Sequence, residues 1–155
     1  KSFFGKDEKQ VLTQFCDLFK KNFQSTDFIL CAHNGKEFDF PFLARRILIN
    51  GLSLPFVLDI AGRKPWEVQH LDTLQLWKFG DYKHYTSLAL LCELFKIKSP
   101  KNDMEGSDVG RVFWEDDDLE RIVKYCQNDT LAVAQLILAY KGMKQLKDSE
   151  VEIIS

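Results

Sequence analysis

The run Phe28-Ile29-Leu30-Cys31-Ala32 constrains the fold of this chain more than any other stretch. Five consecutive apolar residues follow the turn formers Ser25-Thr26-Asp27 and precede His33-Asn34-Gly35-Lys36. A run that short, apolar toward both sides of a pleat, predicts a strand buried on both faces, hence one from an α/β sheet. Helical patterns flank it. Over 7–23, Val11, Leu12, Phe15, Cys16, Leu18, Phe19 and Phe23 recur with helical period, opposite lysines and glutamine. Over 39–50 a second helix is predicted. Pro41 is tolerated in its first turn, Gly51 stops it, and Phe42, Leu43, Ile47 and Leu48 form its core stripe.

Residues 52–66 read as irregular, punctuated by Pro55, Gly62 and Pro65, and a second strand is expected around 70–74. Thr86 and Ser87 are good N-caps for a helix whose buried face would be Leu88, Leu91, Leu94 and Phe95. A polar loop over 98–105 and a short helix over 109–114 follow. Glu115-Asp116-Asp117-Asp118 then places acids at the positive end of a long helical region reaching Tyr140. Two strands fall short of the about five or six of an ordinary sheet. With a chain that opens on Lys1 and enters a helix almost at once, this leads us to expect that the leading strands lie upstream of the sequence.

A length of 155 residues suits one domain over 1–155, with a polar tail over 144–155 that should fray. Apolar residues make up 45% of the chain, 13 of them Phe, which excludes disorder. Lys plus Arg number 21 against 23 Asp plus Glu, a net charge of −2, so a strongly basic nucleic-acid clamp is excluded while a local basic patch is not. The longest apolar runs are too short to span a membrane, and no signal-peptide pattern is present. Cys16, Cys31, Cys92 and Cys126 form no C-x-x-C pair and read as small hydrophobes in a reducing, cytoplasmic setting. Neither they nor His33, His70 and His84 come at zinc-ligand spacing.

Two acidic constellations carry possible chemistry. Asn34-Gly35-Lys36-Glu37-Phe38-Asp39 stands directly after the first strand, and ligands of α/β folds bind at the carboxyl ends of strands. Tyr125 and Asp129 are four apart and share one face of a helix whose flank is apolar, where a carboxylate is costly without a cationic partner, metal or basic side chain. Taken singly, Asp39 reads first as a helix N-cap and Asp129 as an ion-paired core aspartate; taken together, with their spacing and neighbours, they turn toward chemistry.

The stretch from His33 to Leu43 resembles the second exonuclease motif of the DEDD proofreading nucleases, an Asn, a short spacer, an aromatic residue and Asp. Tyr125-x-x-x-Asp129 resembles the third motif in its tyrosine version, the DEDDy subclass. His70-Leu71-Asp72-Thr73-Leu74, Lys78-Phe79-Gly80 and Tyr85-Thr86-Ser87-Leu88 are similar to the intervening segment of a bacterial group of predicted 3′–5′ exonucleases related to the proofreading domain of family B DNA polymerases. The resemblance covers nearly the whole chain. It implies an RNase H-like mixed sheet flanked by helices, with four carboxylates and two divalent ions, Mg²⁺ or Mn²⁺, about 3.5–4 Å apart. By position, Asp39 and Asp129 would be metal carboxylates and Tyr125 would orient the attacking water. Asn34 and Phe38 would contact the terminal nucleotides of single-stranded DNA, Phe38 on a base face.

The family's first motif, Asp-x-Glu on the leading strand, has no counterpart ahead of Asn34. Asp148-Ser149-Glu150 and Asp103-Met104-Glu105 have the letters but stand in the tail and in a loop. The chain therefore supplies two of the four carboxylates and, taken alone, is not expected to assemble a competent two-metal site. Arg45-Arg46 and Arg63-Lys64 read as phosphate contacts or as solvated surface, Trp66, Trp77 and Trp114 as core, and His33 and Asp72 as structural. Two other functions compete with the exonuclease: a non-catalytic nucleic-acid-binding domain, and a structural or interaction domain on the same scaffold.

Overall fold

The computed structural model describes residues 1–23, 28–81, 83–97 and 104–154. The turn at Ser25-Thr26-Asp27, Asp103 and most of the 98–105 loop lie outside them. The chain is mixed α/β and divides into two compact units, Phe3–Lys83 and Lys1–Ser2 with His84–Ser155.

In the first unit, helix α1 (Glu8–Asn22) starts where the Asp7 carboxylate accepts the Gln10 N–H at 3.0 Å and ends with Lys20 and Lys21 at the negative pole of its dipole. Strand β1 (Cys31–Ala32), helix α2 (Asp39–Ile49), strand β2 (Leu71–Asp72) and helix α3 (Thr73–Lys78) follow. The strands pair in parallel, Cys31 opposite Leu71 and Ala32 opposite Asp72, so both run their carboxyl ends toward the same side. Leu12 and Cys16 of α1 meet Phe40 and Ile47 of α2 and the 3₁₀ turn Phe56–Leu58 in one core. Arg46 of α2 grips Glu8 of α1 with two hydrogen bonds, 2.6 Å from Nε and 2.5 Å from Nη2, and Asn50 adds a third to Glu8 at 3.0 Å.

Several expectations for this unit need correction. The run 28–32 is not buried on both faces: only Cys31 and Ala32 are strand, and Phe28 and Ile29 are 44% and 45% exposed. Among the described residues the sheet has two strands, so β1 is covered along one edge only. The α2 stripe is Phe40, Leu43, Ala44 and Ile47, the i, i+3, i+4, i+7 arc, which turns Phe42 and Leu48 outward. The second strand stops at Asp72 because that side chain caps α3, so Thr73 and Leu74 are already helical. Trp66 is 77% exposed instead of core, with the Lys64 ammonium 5.4 Å from its ring centre.

In the second unit, α4 (Leu88–Leu94) is capped by Ser87, whose Oγ accepts the Leu90 N–H at 3.2 Å. Helix α5 (Val109–Trp114) and the long α6 (Leu119–Tyr140) follow. Asp118 caps α6 by accepting the Arg121 N–H at 3.1 Å, and Asp116 pairs with Arg111 at 2.7 Å. The expected α4 face loses Leu94, which is exposed, and gains Cys92; again the i, i+3, i+4, i+7 arc decides, running Leu88, Leu91, Cys92, Phe95. Trp114 is 81% exposed, which corrects its reading as core. Cys31 and Cys126 are exposed while Cys16 and Cys92 are buried, so only the latter pair act as small core hydrophobes. The polar tail is fastened where fraying was expected: buried Gln135 accepts the Leu146 N–H at 2.8 Å and donates to the Leu146 carbonyl at 2.9 Å, and Ser2 N–H donates to the Ile154 carbonyl. No helix among the described residues is long and apolar enough to cross a membrane.

Candidate functional site

The carboxyl end of β1 opens into a turn at 33–36 that needs its residue types. Asn34 adopts the left-handed conformation with φ 61°, which Asn tolerates better than most side chains. A Cβ on Gly35 would lie 2.4 Å from the Ala32 Cβ and 3.1 Å from the Phe40 ring, so only glycine fits. The turn hands its carbonyls to α2: Phe38 N–H donates to the Asn34 carbonyl at 3.1 Å and Phe40 N–H to the Gly35 carbonyl at 2.9 Å. Phe38 occupies the N-cap position without a side-chain cap bond, so the reading of Asp39 as the N-cap does not hold; Asp39 sits in the first turn itself.

Asp72, at the carboxyl end of β2, is the residue around which this turn is organised. It is 2% exposed, and its Oδ1 accepts N–H groups from Asn34 at 2.9 Å, Leu74 at 3.0 Å and Gln75 at 3.3 Å. Its Oδ2 accepts the Lys36 N–H at 3.1 Å. Buried charge is costly unless hydrogen-bonded, and each such charge-assisted bond contributes about 1.5–3 kcal/mol. The Thr73 hydroxyl donates to the Ala32 carbonyl at 3.4 Å and lies 2.9 Å from His33 Nδ1, which is then the donor of that pair. Lys36 Nζ reaches the Val68 carbonyl at 2.9 Å.

Asp39 lies beside this network. Partial burial pushes its carboxyl above the ordinary range, the Asp72 charge adds to the rise, and its own backbone N–H and His33 oppose it. Phe38 is 63% exposed and its ring lies parallel to that of Phe42, centres 5.9 Å apart. Asn34, Phe38 and Asp39 are thus gathered at one strand end together with His33 and Asp72. His70, by contrast, is a core histidine: it accepts the Leu30 N–H on Nδ1 at 3.2 Å, donates from Nε2 to the Val57 carbonyl at 2.8 Å, and packs edge-on against Phe40.

Tyr125 and Asp129 belong to the second unit, one turn apart on α6. The Tyr125 hydroxyl donates to Asp129, and its pKa is pushed up to about 12, first by burial, then by the Asp129 charge and this hydrogen bond, with Glu105 contributing. The hydroxyl packs over Gly106, where an added Cβ would stand 3.7 Å away. Burial and the Asp129 charge both raise the nearby Cys92 thiol.

No group of three or more His, Cys, Asp or Glu able to hold a metal occurs among the described residues. Glu150 of Asp148-Ser149-Glu150 closes a 3₁₀ turn, accepting the Lys147 N–H at 2.8 Å. Arg46 is engaged with Glu8, while Arg45, Arg63 and Lys64 are exposed. The role of Asp72 in holding the turn and the proximity of Glu105 to Tyr125 are missed by sequence reasoning. An Asp-Thr pair between a strand and a helix signals the cap, but nothing signals the turn 36–38 residues away.

A family described as predicted 3′–5′ exonucleases related to the exonuclease domain of PolB matches residues 4–152. No solved structure gives a significant match.

Proposed function

We propose, from the fact that this chain belongs to that family of predicted 3′–5′ exonucleases, that it acts as one DEDDy exonuclease-like domain of RNase H-like architecture. Its reaction is hydrolysis of the terminal phosphodiester bond at the 3′ end of single-stranded DNA. The observation that carries the reading is the position of Asp39. It follows the carboxyl end of a strand in a parallel pair, in the first turn of a helix, and beside the buried carboxylate of Asp72, which accepts backbone N–H groups.

The donor set suits Mg²⁺ or Mn²⁺ in kind, since Asp39 and Asp129 offer hard oxygen ligands, and a carboxyl raised by burial and a neighbouring negative charge is stabilised by a divalent cation. When bound, such ions make hydroxide available near neutral pH and offset charge building on the phosphate. The chain's own residues do the rest. Tyr125, protonated throughout the physiological range, donates its one O–H to Asp129 and orients the attacking water by accepting a hydrogen bond from it. Phe38, exposed on its α2 turn, stacks on a terminal base, and Asn34 contacts the same nucleotide.

The test is cleavage of a 5′-labelled single-stranded oligonucleotide with Mn²⁺, with Mg²⁺ and with chelator. Stepwise shortening from the 3′ end, lost with chelator and in Asp39→Ala and Asp129→Ala proteins of unchanged fold, is expected. Shortening that survives both substitutions would refute the reading.

A further inference from the structure

We propose that Asp72 is a positioning residue for the Asp39 site, fixing through backbone N–H groups the turn that presents Asn34, Phe38 and Asp39. What that turn serves rests on the nuclease reading above; the anchoring rests on geometry alone.

A helix cap needs only the donors of its first turn, and Leu74 and Gln75 on Oδ1 already supply them. Asp72 does more. Oδ1 also takes the Asn34 N–H and Oδ2 the Lys36 N–H, so one buried carboxylate closes two elements that are 36–38 residues apart. The parallel register makes this possible, because Ala32 and Asp72 are opposite each other and the two strand ends stop level. Holding Asn34 left-handed is unfavourable for a side-chain-bearing residue, and the anchored amides on either side of Gly35 keep it there. The displacement route to Asp39 is short. Asp72 holds the N–H groups of Asn34 and Lys36, and the carbonyls of Asn34 and Gly35 receive the N–H groups of Phe38 and Phe40, which bracket Asp39. His33 on Thr73 and Lys36 on Val68 tie the same turn from both sides.

Asp72→Asn separates this role from capping. With its oxygen kept toward Asn34, Leu74 and Gln75, the variant turns an NH₂ against the Lys36 N–H, donor against donor. Amide exchange at Lys36 should then accelerate about tenfold or more while Leu74 and Gln75 stay protected. Oligonucleotide cleavage should fall about 10–100-fold, as for other residues that orient a ligand. Unchanged exchange at Lys36, or equal loss of protection at Leu74 and Gln75, would overturn the proposal. In the wild-type protein, which needs no substitution to fold, scalar couplings across the hydrogen bonds from the Asn34 and Lys36 nitrogens to the Asp72 carboxyl carbon should be detectable, and their absence would also overturn it. Wild-type protein that cuts no oligonucleotide would refute the nuclease reading, and the couplings would still decide the anchoring.

Discussion

The Tyr125 hydroxyl donates to the Asp129 carboxylate one turn along α6, and burial, reinforced by this pairing, holds the phenol protonated far above neutral pH. Tyr125→Phe keeps the ring and removes only the hydroxyl. The substitution should lower the rate of oligonucleotide shortening about 100-fold and, with one charge-assisted hydrogen bond lost, lower the melting temperature by a few degrees. A rate equal to wild type would remove Tyr125 from the mechanism.

The same pair sets an alkaline limit. A folded pKa of about 12, above the ordinary value of 10, means the stabilisation is complete below pH 10 and is lost as pH rises through the folded value. Tyrosinate absorbance of metal-free protein should show two late-titrating tyrosines, Tyr125 and Tyr140, of which only one moves earlier in Asp129→Asn. A titration insensitive to that substitution would contradict the hydrogen bond.

Gly35 admits no side chain. In Gly35→Ala the new Cβ would overlap the Ala32 Cβ, which is fixed to strand β1 and cannot retreat. Overpacking of this kind costs about 1–3 kcal/mol, read as a lower urea midpoint with an unchanged slope. A midpoint equal to wild type would show that the turn yields freely.

His70 is held neutral by burial, with its two ring nitrogens in opposite hydrogen-bonding roles. Its folded pKa lies below the ordinary 6.5, so its stabilisation is present above that value and is lost as pH falls through the folded one. Its ring protons should titrate below pH 6.5 in an NMR series, and unfolding in acid should begin with the Leu30 amide losing protection. A midpoint above 6.5 would contradict this environment.

Much of the helical frame is legible in the sequence because its signals are local. Asp7, Ser87 and Asp118 cap the helices they precede, and Gly51, with φ 70°, ends α2 as a glycine stop should. Burial was less legible because it depends on which elements meet. Phe42 and Leu94 are apolar but off the buried arc, while Ala44 and Cys92, less hydrophobic, lie on it. The run 28–32 looked like a doubly buried strand, yet its burial depends on neighbours that its own residues do not specify. At the site, Asn34, Phe38 and Asp39 come together because they are close in sequence. The hold of Asp72 on Asn34 and Lys36 comes from strand register, a long-range property that spacing along the chain does not reveal.

The proposed reaction needs Asp39 and Asp129 each to serve as a metal carboxylate. Mn²⁺ binding, followed by the loss of the free-ion paramagnetic resonance signal, tests this most directly in wild-type, Asp39→Ala and Asp129→Ala proteins. Either single substitution should weaken Mn²⁺ binding about tenfold or more. Binding that is unchanged in either variant would remove that carboxylate from the metal chemistry.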